Sequence, residues 1–492
     1  NPDTTTFYAS RMANTFADLG INVNFAPCVD LCSNPNNPII AKPKRCFSDN
    51  PELVAEHAGI FNTELIKKGI LPVLKHFPGH GDTDQDSHKT LPTISFNEKR
   101  IDSIELYPYK KLIQEGLSSV MVAHLNVPSL EARDGYPSSL SKHIVTDILK
   151  VKLGFKGLIF TDALTMKGAA DFSETGAIDL AAFNAGNDVM LMSVDVGIGV
   201  SKIMDAYNKG EISESRLEHS VKKILQAKYK VGLNNYEPIG LYNLSKDLNR
   251  LKDDILYEEL LENAITIVKN EKDLLPLRRL ETKSIAYVKL GDDSGSAFFN
   301  ELKKYAKVHE IESDNLYSLT AKLKPYNTVI IGFHRSNDNP WESYKFSNKE
   351  LVWLHEISQT HTVIIDAFVK PYALSRLKTL ENIESIVVSY QNSEIAQQKS
   401  AQLIFGAIPS KGSLPVSIGN YFKVGDGIYN NELKRLGYTI PERVGMSSEK
   451  LKRIDSVAKV AVGSMMTPGI QLLVARKGKV IYNKSFGKHT YK

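Results

Sequence analysis

Over the first two hundred positions, short apolar runs alternate with polar segments of helical period. The runs cover residues 21–27, 70–75, 118–124, 157–161 and 188–192. Each is short enough for a buried strand, and the rhythm predicts repeated βα units around a parallel sheet. Each run is also followed by a residue suited to chemistry: Asp30, His76, His124, Asp162 and Ser193. Polar groups repeated at strand C-termini favour a (β/α)8 barrel over a doubly wound sheet, because barrels carry their chemistry on the loops at that end. A helical pattern starting near Ser213 sets Leu217, Val221, Ile224 and Leu225 on one face, and the polar stretch 232–242 reads as a connector.

A second alternating region has strand-like runs at 285–290, 328–333, 362–368 and 385–390, with helical patterns such as 300–305 and 349–358 between them, which predicts a smaller parallel α/β layer. Gly291-Asp-Asp-Ser-Gly295 follows its first strand but lacks the GxGxxG spacing, so it reads as a plain loop. From Glu442 an amphipathic helix over 448–462 precedes a hairpin, 469–475 and 479–482, turning at Lys477-Gly478.

The 492 residues are 42% hydrophobic and 24% charged, enough for two or three folded domains. The net charge of +5 is dispersed and no basic block is interleaved with aromatics, so nucleic acid is not an expected partner. No apolar stretch approaches the roughly 18 residues of a membrane span. The three cysteines, Cys28, Cys32 and Cys46, are too few for a disulfide framework and lack a second pair for zinc, so free thiols or small buried residues are expected. The chain opens on Asn1 within a helical pattern, and further sequence is expected before it.

The densest chemistry lies in Lys75–Pro92, KHFPGHGDTDQDSHKTLP, which holds three histidines and three aspartates. Within it, Asp86-Ser87-His88 places a carboxylate and an imidazole on one side of an extended segment. That pairing fixes the tautomer and supports a proton donor near neutral pH. Asp82, Asp84 and Asp86 imitate the start of a calcium loop, but Ser87 replaces the required glycine and Thr93 the required glutamate, so no metal is expected. Asp162, after the run Gly157-Leu-Ile-Phe160, has two readings: a helix N-cap, or a carboxylate held rigidly enough to attack an anomeric carbon.

Four segments together resemble glycoside hydrolase family 3, in its bacterial β-N-acetylglucosaminidase subgroup. They are Asn24-Phe-Ala-Pro27 through Asp30, Lys75–Pro92, Ala123-His-Leu125 with Pro128, and Phe160-Thr-Asp162-Ala-Leu-Thr-Met166. The resemblance implies Asp162 as nucleophile, His88 as acid/base and Asp86 as its partner, with Lys75, His76 and Arg45 binding the sugar. It implies an N-acetylglucosamine-containing glycan as substrate and no cofactor. Ala41-Lys-Pro-Lys44 and Cys46 depart from the family pattern around Arg45, and the family's first two strands with their Gly-Gly-x-x-x-Arg loop are not found here. Phe405-Gly-Ala-Ile-Pro409 with Gly412-Ser-Leu-Pro415 resembles the end of the family's C-terminal α/β domain. Residues from Pro468 to Tyr482 resemble the opening of a serine β-lactamase. Ser447-Ser-Glu-Lys450 imitates its S-x-x-K motif but is read as a helix cap.

The expected architecture is therefore α/β: a TIM-type barrel lacking its first strands (1–232), a linker (233–258), a parallel α/β sandwich domain (259–425) and the start of a β-lactamase-like domain (440–492). The expected activity is retaining hydrolysis of terminal β-linked N-acetylglucosamine from peptidoglycan-derived fragments. The residues leave open a phosphorylase using phosphate as acceptor, an inactive sugar-binding module, and a serine hydrolase resting on the last fifty positions alone. The compartment is open as well: the lactamase-like part suits a bacterial envelope, whereas the subgroup also works in cytoplasm.

Overall fold

The computed structural model describes residues 2–336 and 343–491; Asn1 and Lys492, the outer limits of the expected domains, lie outside them. The chain forms two compact units, Asn1–Arg250 and Leu251–Lys492. No helix among the described residues is long and apolar enough to cross a membrane.

The first unit contains six short strands, β1 (Val23–Asn24), β2 (Leu71–Pro72), β3 (Leu74–Phe77), β4 (Ser119–Val122), β5 (Leu158–Ala163) and β6 (Val189–Leu191). They form parallel sheets in the orders β1-β2 and β3-β4-β5-β6. Their alternation sorts side chains into two cores. Val23, Phe25, Leu71, Val73, Met121, Leu158, Phe160, Val189 and Leu191 pack together on one face. Leu74, Phe77, Val120, Val122 and Ile159 point the other way, into the layer that includes Val54, Ala58, Tyr109 and Ile144. The helix Pro51–Ile66 in that layer starts cleanly because Asn50 accepts the Glu52 and Leu53 N–H groups and Pro51 occupies its first turn.

The helix Glu214–Lys230 corrects one expectation. Leu217 and Ile224 do pack inward, but Val221 and Leu225 are 45% and 58% exposed. The buried stripe instead runs through Ser220, Ile224 and Ala227, a rotation of about one position. The cysteine reading is also corrected: Cys32 and Cys46 form a disulfide, and Cys28 alone is free. Chain folding brings their Cα atoms to 5.7 Å, a proximity invisible in the spacing of 14.

The second unit holds a six-stranded sheet, β7 (Thr266–Asn270), β8 (Ile285–Gly291), β9 (Val308–Glu310), β10 (Thr328–His334), β11 (Thr362–Phe368) and β12 (Ser385–Val388), in the order β7-β12-β11-β10-β8-β9. It is not wholly parallel, because β7 runs antiparallel along β12. Part of the expected linker is helical: Leu251–Ala264 buries Leu256, Glu258 and Leu261. In the same unit, β13 (Gly437–Tyr438) pairs with the hairpin of β14 (Gly469–Arg476) and β15 (Lys479–Gly487), on which the helix Ser448–Gly463 packs. Ser447 caps that helix by accepting the Lys450 N–H, as its spacing suggested.

Candidate active site

Strand phase decides which polar residues converge. Asp162 continues the series Leu158–Phe160, and Lys75 continues Leu71–Val73, so both stand on the inner face at the C-terminal ends of their strands. Asp162 lies within β5, and its Oδ1 accepts its neighbour's N–H, Ala163, at 2.8 Å; the next helix begins only at Lys167, so the carboxylate is not a cap. Burial pushes the Asp162 carboxyl up, but the charges of His76, His124 and Lys75 and the Ala163 N–H outweigh it and leave it below the ordinary carboxylate range. His124 is fully buried, with Nδ1 2.6 Å from Ser139 Oγ and Nε2 3.0 Å from the Ala163 carbonyl. It braces the residue next to Asp162.

Beneath these groups Asp30 acts as a hub. Its Oδ2 lies 2.7 Å from His76 Nδ1 and accepts the His76 N–H and the Cys28 thiol, while Oδ1 accepts the His80 N–H at 2.6 Å. Burial raises its pKa, yet the His76 imidazole and the remaining donors hold it far below the usual range. Cys28, Asp30 and His76 place three ligand-type atoms within 4.8 Å of one another, but Asp30 already satisfies the other two by hydrogen bonding. On the far side of His76, Arg45 Nη2 stands 3.4 Å from Nε2. Burial, and then the Arg45 charge, lower the pKa of Lys75. The sequence-predicted Lys75, His76, Arg45 and Asp162 are thus brought together. Ser193 sits after β6 and takes no part in the hydrogen bonding described here.

Asp86 and His88 form their own pair: Asp86 Oδ1 accepts the His88 N–H at 2.9 Å and lies 2.7 Å from Nδ1. Burial pushes Asp86 up, but the His88 N–H and imidazole bring it below the ordinary range. The His88 side chain is 62% exposed, with Nδ1 engaged by Asp86. Between them, Ser87 fastens the loop. Its carbonyl accepts the Gly168 N–H at 3.3 Å, and its hydroxyl lies 3.2 Å from His80 Nε2. Gly168 lies in the short helix Lys167–Ala170 that follows β5, and a Cβ there would stand 3.0 Å from the Thr90 carbonyl. The loop and that helix therefore meet backbone to backbone. Asp82, the first residue of the calcium-like spacing, is taken by Arg100, which also binds Glu105.

Sequence reasoning singled out Asp30 and His124 only as strand-end residues, and missed His80 and Asn37. Burial pushes His80 down to about 4, so it is a neutral bridge to Thr83 and Ser87. Asn37 is fully buried and donates to the His80 and Gly81 carbonyls. The clustering of Asn and Pro at 34–38 was the available signal, since such residues close loops through side-chain to backbone bonds.

Residues 1–227 match the model described as the glycosyl hydrolase family 3 N terminal domain. Beta-hexosaminidase A of Pseudoalteromonas piscicida is 34% identical over 55% of this chain and 48% of its own length. Beta-hexosaminidase LpqI of Mycobacterium tuberculosis is 34% identical over 43% of this chain and 55% of its own. The chain thus spans about half the length of these curated relatives. Among solved structures, a glycoside hydrolase family 3 beta-N-acetylglucosaminidase from Paenibacillus sp. superposes with a TM-score of 0.66 at 25% identity, covering 84% of this chain and 80% of that one. A beta-glucoside phosphorylase, at 22% identity and TM-score 0.70, shares the fold.

Proposed function

From the match of residues 1–227 to the glycosyl hydrolase family 3 N terminal domain and the geometry above, we propose that the protein is a retaining β-N-acetylglucosaminidase that removes terminal β-linked N-acetylglucosamine from peptidoglycan-derived fragments. Asp162 attacks the anomeric carbon as the bond to the leaving oxygen breaks, and His88 Nε2 gives that oxygen its proton. His88 then takes a proton from water, whose oxygen displaces Asp162 and completes hydrolysis. Lys75, His76 and Arg45 hold the sugar hydroxyls. Asp86 accepts from Nδ1–H, which leaves Nε2 as the nitrogen that gives and takes the proton, and it stabilises the imidazolium.

The observation that carries this reading is the fastening of the Asp86/His88 loop, through Ser87 and Gly168, to the same segment that bears an ionised Asp162. In the reacting complex the two groups are expected about 5 to 5.5 Å apart. The accompanying domain reading assigns 1–232 to an incomplete barrel, 259–425 to a supporting α/β domain and 440–492 to the opening of a serine β-lactamase-like domain. The helix packed on the β14–β15 hairpin supports the last assignment.

The test is turnover of a nitrophenyl N-acetylglucosaminide with and without phosphate, with the anomer of the first-formed sugar read by NMR and a fluorinated substrate used to trap the intermediate. The β anomer, and a label on Asp162, are expected. Sugar 1-phosphate, an inverted anomer, or a label elsewhere would overturn the proposal.

A further inference from the structure

The segment between Asp30 and the helix at Pro51 contains no strand or α-helix, yet it carries Arg45 to the site. Three of its attachments bear on Arg45. Asn37 ties its middle to the 80–83 loop, where its amide donates to the His80 and Gly81 carbonyls and to Thr83 Oγ1. Arg45 folds back on its own loop, its N–H donating to the Ile40 carbonyl and its Nη1 to the Ile39 carbonyl at 2.9 Å. The Cys32–Cys46 bond closes the segment.

That bond joins the immediate neighbour of Arg45 to a residue two positions beyond the Asp30 hub. A hydrogen bond from the Cys32 N–H to the Ser48 carbonyl, 3.0 Å, lies beside it. We propose that Cys32 and Cys46 are positioning residues: their disulfide fixes the guanidinium of Arg45 against His76, so the protein's affinity for its sugar depends on the bond being intact. The proposal rests on the reading of Arg45 as a sugar-binding residue. Cutting the bond leaves Arg45 on a closed loop of hydrogen bonds alone. Displacement of a positioning group by about an ångström is enough to weaken substrate handling severalfold or more.

The experiment treats the folded protein with dithiothreitol, whose two thiols pass two electrons to the S–S bond, leave protons on the Cys32 and Cys46 sulfurs, and end as a cyclic disulfide. Reduction is expected to raise KM about fivefold or more while kcat stays within about twofold. Cys32→Ser/Cys46→Ser should show the raised KM constitutively and ignore the reductant. If that variant does not fold, the reduced native protein carries the test. Arg45→Gln should raise KM in the oxidised protein. A KM that rises in Arg45→Gln but not on reduction would overturn the positioning role and leave the sugar-binding reading standing. A KM unmoved by Arg45→Gln would overturn that reading itself. Alkylation of the unfolded, unreduced chain should modify one cysteine, and three modified cysteines would overturn the crosslink.

Discussion

Asp30 in the first unit and Asp366 in the second are equally enclosed, 2% and 0% exposed, yet they have opposite electrostatic fates. Asp30 is surrounded by His76, the His80 N–H and the Cys28 thiol, and it stays ionised far below the usual range despite its burial. Among the described residues, the hydroxyls of Ser389 and Ser400 are the donors to the Asp366 carboxyl, and burial pushes it up to about 7. Removal from water raises both; a neighbouring imidazole decides the outcome. The same contrast separates the strand ends. In the second unit His334 is engaged by Tyr287 and Asn392, and Asn392 by Asp293, a closed set with its capacity spent. At the end of β5, one oxygen of Asp162 is bound by Ala163, and among the described residues the other accepts no hydrogen bond. On the proposed reading, a polar strand end becomes a reactive site where such capacity is left over and an opposite charge keeps it ionised.

The largest effect that tests this contrast is on turnover. Asp162→Asn should lower kcat on the order of 10⁴-fold or more, whereas Asp366→Asn should leave kcat/KM within about twofold; equal losses measured by steady-state kinetics would erase the distinction between the units. Next, Asp30→Asn removes the charge that faces His76, and a loss of about 10- to 100-fold in kcat/KM is expected, the worth of hydrogen bonds to a charged group. An unchanged rate would reduce Asp30 to packing.

Stability against pH separates the two carboxyls by sign. The folded pKa of Asp366 is raised above its unfolded value of about 3.9, so its contribution is full below that value and is lost as pH rises to about 7. The folded pKa of Asp30 is depressed, so its contribution is present above about 3.9 and disappears only as strong acid protonates the folded carboxylate. Thermal unfolding of Asp366→Asn between pH 4 and 7 should accordingly be flatter than that of the native chain, and parallel curves would contradict a neutral Asp366. The smallest expected change is in Ser389→Ala, about 1 kcal/mol of stability from one lost hydrogen bond, measured by denaturant unfolding at neutral pH.

Alternation and run length were enough to place the strands that hold the site, because each has an apolar phase and a polar end. Two strands of the second sheet escaped. β9 spans three residues, two of them exposed, and β7 is a five-residue strand directly after a helix, so neither has a readable period. The Asp86/His88 pair was legible because its members are two residues apart, and Asp162 and His76 because each stands in or at the end of an apolar strand run. The hub role of Asp30 and the Cys32–Cys46 bond were not, since both depend on where a strandless segment returns. The outward turn of Val221 and Leu225 was missed for a related reason: a helix's apolar residues state its period, whereas the elements beside it choose the face.

The contact between Ser87 and Gly168 constrains how this protein can be re-engineered. The stretch around His88 looks like a portable module, short and bounded by prolines, and an obvious target for exchange when a new leaving group is wanted. Because its carbonyls rest on a position where a Cβ would stand 3.0 Å from the Thr90 oxygen, a graft has to bring both partners of that seam, or the imported imidazole will be seated over the wrong bond.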